Sequence, residues 1–175
     1  MARQSVTYNL AEIYLQKLKK VKVFVFDIDG VLTDGNIYVS DAGVFTRSTS
    51  VKDGYALVKA IKSGYKIVVI SGGSADGVKI RLNRLGIPDV FLRVKDKLAV
   101  LNTWLKENNF EISACLMMGD DEPDLPVLNA VGFSCCPADA VQKIKDTVDY
   151  QSPNAGGKGC VRNVIETRLK LTNDW

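Results

Sequence analysis

Two aspartates, Asp27 and Asp29, end the apolar run that opens VKVFVFDIDGVLTDG, Val21 to Gly35, with only Ile28 between them. Carboxylates this close raise each other's pKa unless a cation offsets their repulsion, so the pair points to a divalent-metal site. An aspartate in such a place can also attack phosphorus as a nucleophile. Asp29-Gly30 alone reads as a turn pair, but a turn does not explain Asp27 closing a hydrophobic strand. Gly30 lets the backbone bend back toward a bound ion.

Three other segments carry candidate chemistry. GDDEPD, Gly119 to Asp124, offers hard oxygen donors that suit Mg²⁺, with Asp120 the first-choice ligand and Asp121 and Asp124 available to orient waters or neighbouring groups. SGGS, from Ser71, follows an apolar run and reads either as a plain turn or as an anion nest, in which the Ser71 hydroxyl and the amides around Gly72 hold phosphate oxygens. It lacks the spacing of a Walker A loop. In RVKDKLAV a lysine would neutralise phosphoryl charge and steady the aspartates, and spacing does not choose between Lys97 and Lys95. Lys52-Asp53-Gly54 reads as a helix cap and AGGKG, with Lys158, as a flexible turn; both are also possible ligand contacts.

The elements that must position these groups follow from periodicity and punctuation. Asn9 caps an expected first helix, with Glu12 completing a capping box and Leu10, Ile13, Tyr14 and Leu18 as one apolar face. A buried strand is expected at Val21 to Phe26, then a β-hairpin over about 36–48 turning at Asp41-Ala42-Gly43. From Asp53 onward helices and strands alternate. Strands are expected at Lys66 to Ile70, Val90 to Leu92, Cys115 to Met118, Gly132 to Cys135 and Val148 to Tyr150, with a last helix at Val161 to Leu171. This alternation predicts an α/β, Rossmann-like three-layer sandwich: a mostly parallel sheet, a small hairpin insertion and no large cap domain, with residues 1–175 as one domain. Asp27, Ser71 and Asp120 then follow three different strands, and ligand sites in such sheets gather at the carboxyl ends of strands.

Composition narrows the function classes. With 46% hydrophobic and 25% charged residues and mean hydropathy +0.02, the chain is not disordered. The formal charge of +3 comes from scattered residues, which argues against a nucleic-acid tract reader. No run reaches membrane-span length and Met1 to Lys20 lacks a secretory core, so a cytoplasmic protein with no membrane partner is expected. The absence of histidine excludes histidine catalysis and the common zinc arrangements. Four cysteines without a C-x-x-C pair read as reduced packing thiols.

Together, DIDGVLTDG, Ser71, Lys97 and GDDEPD resemble the four motifs of the haloacid dehalogenase superfamily, in particular its small capless sugar-acid phosphatases. VKDGYA, RLNRLGI and AGGKGCVRN extend the likeness over nearly the whole chain. The resemblance implies that Asp27 forms an aspartyl-phosphate while Asp29 protonates the leaving oxygen and then activates water. It implies Mg²⁺ on the Asp27 carboxylate, the Asp29 backbone carbonyl and Asp120, with Ser71 and Lys97 on the phosphoryl group. Lys52, Gly72, Arg81 and Lys158 become candidate substrate contacts. It also implies a homotetramer in which the hairpin joins a barrel-like centre and a neighbour covers the site. The lack of any long insertion after Asp29 or Ser71 agrees, since something other than a cap must restrict water.

Close members of that family often carry arginine at the third position of the second motif, where this chain has Gly73. The implied substrate is an eight-carbon 3-deoxy keto-acid phosphate, with a nine-carbon sugar-acid phosphate as the alternative. A non-catalytic phosphorylatable signalling domain is the alternative of another class, and Asp29, placed as an acid/base, argues against it.

Overall fold

A computed structural model describes residues 12–175. Helix α1 (residues 12–19) leads into strand β1 (Val23–Phe26), and the following loop carries a ribbon of β2 (Tyr38–Val39) and β3 (Phe45–Thr46). Helix and strand then alternate: α2 (Val51–Lys62), β4 (Lys66–Ile70), α3 (Asp76–Arg84), β5 (Val90–Phe91), α4 (Lys97–Asn108) and β6 (Cys115–Met118). Short helices α5 (Leu125–Leu128) and α6 (Gln142–Lys145) precede β7 (Phe133–Cys136) and β8 (Tyr150–Gln151), and α7 (Cys160–Lys170) comes last.

The six main strands form one sheet in the order β5-β4-β1-β6-β7-β8, and every pairing is parallel. The chain winds outward from β1 through β4 and β5, then returns to β6 on the other side. The reversal opens a crevice at the carboxyl ends of β1 and β6, the general location for ligands in such sheets.

Central strands are apolar on both faces because helices cover both. Alternation along β1 sends Phe24 and Phe26 to one core with Leu57 and Ile165, and Val23 and Val25 to the other with Leu101 and Trp104. Arg168, 1% exposed, donates to the carbonyls of Lys19 and Val21 at 2.8 and 3.2 Å and lies over the Tyr65 ring. Its charge is thereby satisfied while α7 is tied to the chain entering β1. All four cysteines are buried and free, as expected of packing thiols.

The fold class is the one expected, with small shifts at element ends. β1 begins later than Val21 because the Val21 amide turns back to the Leu18 carbonyl at the end of α1, although Val21 is buried. The apolar face expected of the first helix is only partly used: Leu18 enters the core, while Ile13 and Tyr14 are exposed. Asn9 and Leu10 lie outside the described residues. In the ribbon, Tyr38 pairs with Thr46 and Val39 with Phe45. Its apolar side chains are left largely uncovered, Val39 and Phe45 being 60% and 64% exposed. The segment from β1 to α2 holds only this ribbon, and the one from β4 to α3 is a short loop, so no cap domain is present in either place. Among the described residues no helix is long and apolar enough to cross a membrane.

Candidate active site

At the end of β1 the Asp27 amide donates to Met118 of β6 at 3.2 Å, which fixes the residue at the crevice. The chain then turns tightly through Ile28–Leu32, with Gly30 at φ 85°. A Cβ on Gly30 would collide with the Asp120 carboxylate, so glycine both permits the turn and admits Asp120. Thr33 closes the loop by accepting from the Gly30 and Gly35 amides at 3.4 and 3.3 Å.

The late glycine-rich loop lies directly behind this turn. Gly157 donates its amide to the Val31 carbonyl at 2.9 Å, and a Cβ on Gly156 would collide with the Gly30 carbonyl. Asp53, 1% exposed, accepts from the amides of Gly159 and Arg162 at 3.2 and 2.7 Å, so it joins α2 to the start of α7. The same residue receives help at its own end, where Ser50 caps α2 through the Asp53 amide.

Carboxylates dominate the crevice. Asp27, Asp120 and Asp124 each offer an oxygen, and these lie within 4.8 Å of one another. Lys97, 7% exposed at the start of α4, places Nζ 3.0 Å from Asp27 Oδ1 and 2.7 Å from Asp124 Oδ1. Asp124 Oδ2 accepts the Asp120 amide at 3.1 Å. Although Lys97 is close, Asp27 Oδ1 receives no well-directed hydrogen bond among the described residues. A buried carboxylate oxygen left without a donor, beside two further carboxylates and one lysine, suits a hard divalent cation.

Protonation follows from the same crowding. Burial and the nearby Asp124 push Asp27 up to about 6 against the opposing pull of Lys97. Burial, with Asp27, Asp124 and Asp121 close by, pushes Asp120 up to about 7. Burial alone would lower Lys97, but Asp27 and Asp124 outweigh it and hold the ammonium above its usual range.

Ser71 continues β4, its amide donating to Phe91 at 2.9 Å, and its hydroxyl accepts the Gly73 amide at 3.2 Å. Gly72 is exposed beside it. A cleft of about 340 Å³ unites Asp27, Asp29, Ser71, Gly72, Lys97 and Asp120. Lys95 stays at its exposed rim, so geometry selects Lys97 as the lysine that reaches the carboxylates. Arg81 lies apart, on an adjacent cavity of about 440 Å³ between the ribbon and α3. Lys52 and Lys158 are not brought to the cleft either; they border a third cavity of about 370 Å³ with Arg162 and Lys170.

Asp29 differs from the other aspartates. Its carboxylate stands outside the three-oxygen cluster and is gripped by Arg47, with Nε to Oδ1 at 2.6 Å and Nη2 to Oδ2 at 3.0 Å. Sequence reasoning missed Arg47 because nothing local marks one basic residue just beyond a hairpin strand. Asp124 belongs to the oxygen cluster as well, which the sequence left open.

A parallel sheet with this crevice, its acidic cluster and no cap defines a haloacid dehalogenase-like hydrolase, and a profile of that description matches residues 87–165. The chain belongs to the family of the 3-deoxy-D-manno-octulosonate 8-phosphate phosphatases, being 32% identical to the Escherichia coli (strain K12) protein of that name over 89% of this chain and 82% of the relative. The crystal structure of the Moraxella catarrhalis phosphatase of the same name, in complex with magnesium ion, phosphate ion and KDO molecule, superposes with TM-score 0.89 at 36% identity, covering 93% of both chains. A Legionella pneumophila structure described as a haloacid dehalogenase superfamily (subfamily III A) hydrolase gives TM-score 0.92 at 29% identity, over 95% of this chain and 92% of the other.

Proposed function

We propose that this protein hydrolyses 3-deoxy-D-manno-octulosonate 8-phosphate to the free sugar acid and phosphate, with Mg²⁺ and through an aspartyl-phosphate on Asp27. The observation that carries this reading is the Asp27 carboxylate itself: buried, at a strand end, with an oxygen lacking a directed donor between Lys97 and Asp120. The names of the E. coli and M. catarrhalis relatives support the substrate.

In the first step an Asp27 oxygen bonds to phosphorus as the bond to the sugar oxygen breaks, and Asp29, entering the cycle protonated with one oxygen released from Arg47, gives that oxygen a proton. In the second, Asp29 takes a proton from water, whose oxygen bonds to phosphorus and releases phosphate from Asp27. Lys97 and the Ser71 hydroxyl hold the phosphoryl oxygens, while Asp124 steadies Lys97 and the Asp120 amide. The Asp27 and Asp120 carboxylates and the Asp29 backbone carbonyl would hold Mg²⁺, which when bound supplies charge that offsets the carboxylates and the phosphoryl oxygens.

Gly72 and Arg81 border the spaces nearest the reacting centre and serve as rim residues in this reading. Lys52 and Lys158 face the third cavity and do not reach that centre from within this chain. The exposed apolar ribbon supports a homotetramer in which a neighbour covers the open cleft, and the cytoplasmic placement read from the sequence is part of the same proposal.

Comparing kcat/KM on the eight-carbon substrate and on a nine-carbon sugar-acid 9-phosphate, with Mg²⁺ present, tests the assignment. A clear preference for the eight-carbon substrate is expected. Equal or reversed preference would sink the octulosonate assignment, and one stable phosphoryl group per chain without turnover would favour a signalling domain.

A further inference from the structure

Arg47 has more donors than its partner uses. Its side chain is 8% exposed, and the pairing of Nε and Nη2 with Asp29 engages one edge of the guanidinium. Its other edge, Nη1 with the second Nη2 hydrogen, meets no acceptor among the described residues. A planar fork of this kind can hold two carboxylates at once, one on each edge.

Gly73 leaves open the ground beside Asp29 and Arg47 Nη2. A Cβ there would stand 3.3 Å from Asp29 Oδ2, 3.8 Å from Ser71 Oγ and 3.9 Å from Arg47 Nη2. Gly73 borders the cleft around Ser71, while Arg47 lies on the neighbouring cavity of about 440 Å³ with Ser74 and Arg81. One carboxylate, Asp76, also borders that cavity, but it is engaged by Arg93 at 2.8 Å.

We infer that Arg47 is a specificity-determining residue: its outer edge receives a carboxylate carried by the substrate beyond the phosphoryl group, seated between the ribbon and α3. Gly73 stays small so that this cation reaches the site from the ribbon and not from the loop after β4. The inference rests on the phosphatase reading above and names the residue that recognises the acid group. A phosphomonoester without a carboxylate leaves the outer edge of Arg47 with no partner.

The test is the selectivity ratio, kcat/KM for 3-deoxy-D-manno-octulosonate 8-phosphate over kcat/KM for D-arabinose 5-phosphate, a sugar phosphate with the same primary-alcohol leaving group and no carboxylate, with Mg²⁺ present. Arg47→Ala is expected to lower this ratio by about 10- to 100-fold, mainly through KM, the scale of one charge-assisted contact. Arg47→Lys, which keeps charge but loses the fork, should fall between. Adding Gly73→Arg to Arg47→Ala should restore selectivity by returning a cation to the same space. A parallel fall with both substrates would overturn the inference, leaving Arg47 with Asp29 alone. A double variant as unselective as Arg47→Ala would overturn the role given to Gly73. Wild-type protein inactive on both substrates would refute the phosphatase reading instead. Calorimetry with the phosphate-free sugar acid then reads the contact without turnover: binding weakened at least about tenfold in Arg47→Ala supports it, and unchanged binding overturns it.

Discussion

Asp27, Lys97 and Asp124 form a chain of charge in which each residue is tolerable only because of the next. Removing Lys97 strands two buried carboxylates, and breaking a buried ion pair from one side costs about 3–5 kcal/mol. Lys97→Met is therefore expected to lose that much stability in urea unfolding of metal-free protein, and to lose phosphate release as well. Asp27→Asn should behave differently. It removes one member of a repelling set, so it should unfold at a similar or higher temperature while turnover falls by about a thousandfold or more. The raised pKa values of Asp27 and Asp120 give a further prediction. Between the unfolded value of about 3.9 and the folded values the native state binds more protons, so stability falls as pH rises through that window. Melting of the metal-free protein should drop from pH 4 toward about 7 from these groups, and Mg²⁺ should raise the melting temperature more at pH 8 than at pH 5. The aspartates were legible because acids at the end of an apolar run are hard to explain otherwise. Arg47 was not, since the ion pair joins positions 18 residues apart and only the folded ribbon brings them together.

At the scale of elements, the catalytic turn is held from behind by segments far away in sequence. Alternating helices and strands made β1, β4 and β6 readable, and with them the strand ends that carry Asp27, Ser71 and Asp120. The role of AGGKG was not readable, because a glycine-rich stretch looks the same whether it bends freely or packs against another backbone. Here it packs: Gly156 and Gly157 lie on the backbone of Gly30 to Asp34. Gly156→Ala should displace the catalytic turn, and a shift of about 1 Å in a reacting group costs about 100-fold in rate. The prediction is a loss of kcat on that scale with far-UV circular dichroism unchanged. Asp53 was ambiguous for a related reason. It sits in the first turn of its own helix, yet its carboxylate serves the amides at the start of α7, a pairing that crosses 106 residues to Gly159.

For the whole molecule, the ribbon is the part whose sequence and environment disagree most. Tyr38, Val39, Val44 and Phe45 would be stable in a core, yet all are exposed in the single chain. Contiguous apolar surface of this kind marks an interaction face. Under the tetramer proposed above, Phe45→Glu with Val39→Glu should therefore shift sedimentation from tetramer toward monomer. The six-stranded sheet should remain, since neither side chain belongs to its cores. The sequence announced the ribbon through its alternation and turn, but alternation alone could not say that both of its faces would be left uncovered by the chain's own body.

The central claim is that Asp27 carries the phosphoryl group during turnover. Rapid quenching with ³²P-labelled 3-deoxy-D-manno-octulosonate 8-phosphate and Mg²⁺ tests it most directly, with the label mapped by peptide. The account predicts transient label on the peptide containing Asp27, decaying as phosphate accumulates over many turnovers, and none in Asp27→Asn. Steady phosphate release with normal rates from Asp27→Asn, or label residing on another residue, would contradict it.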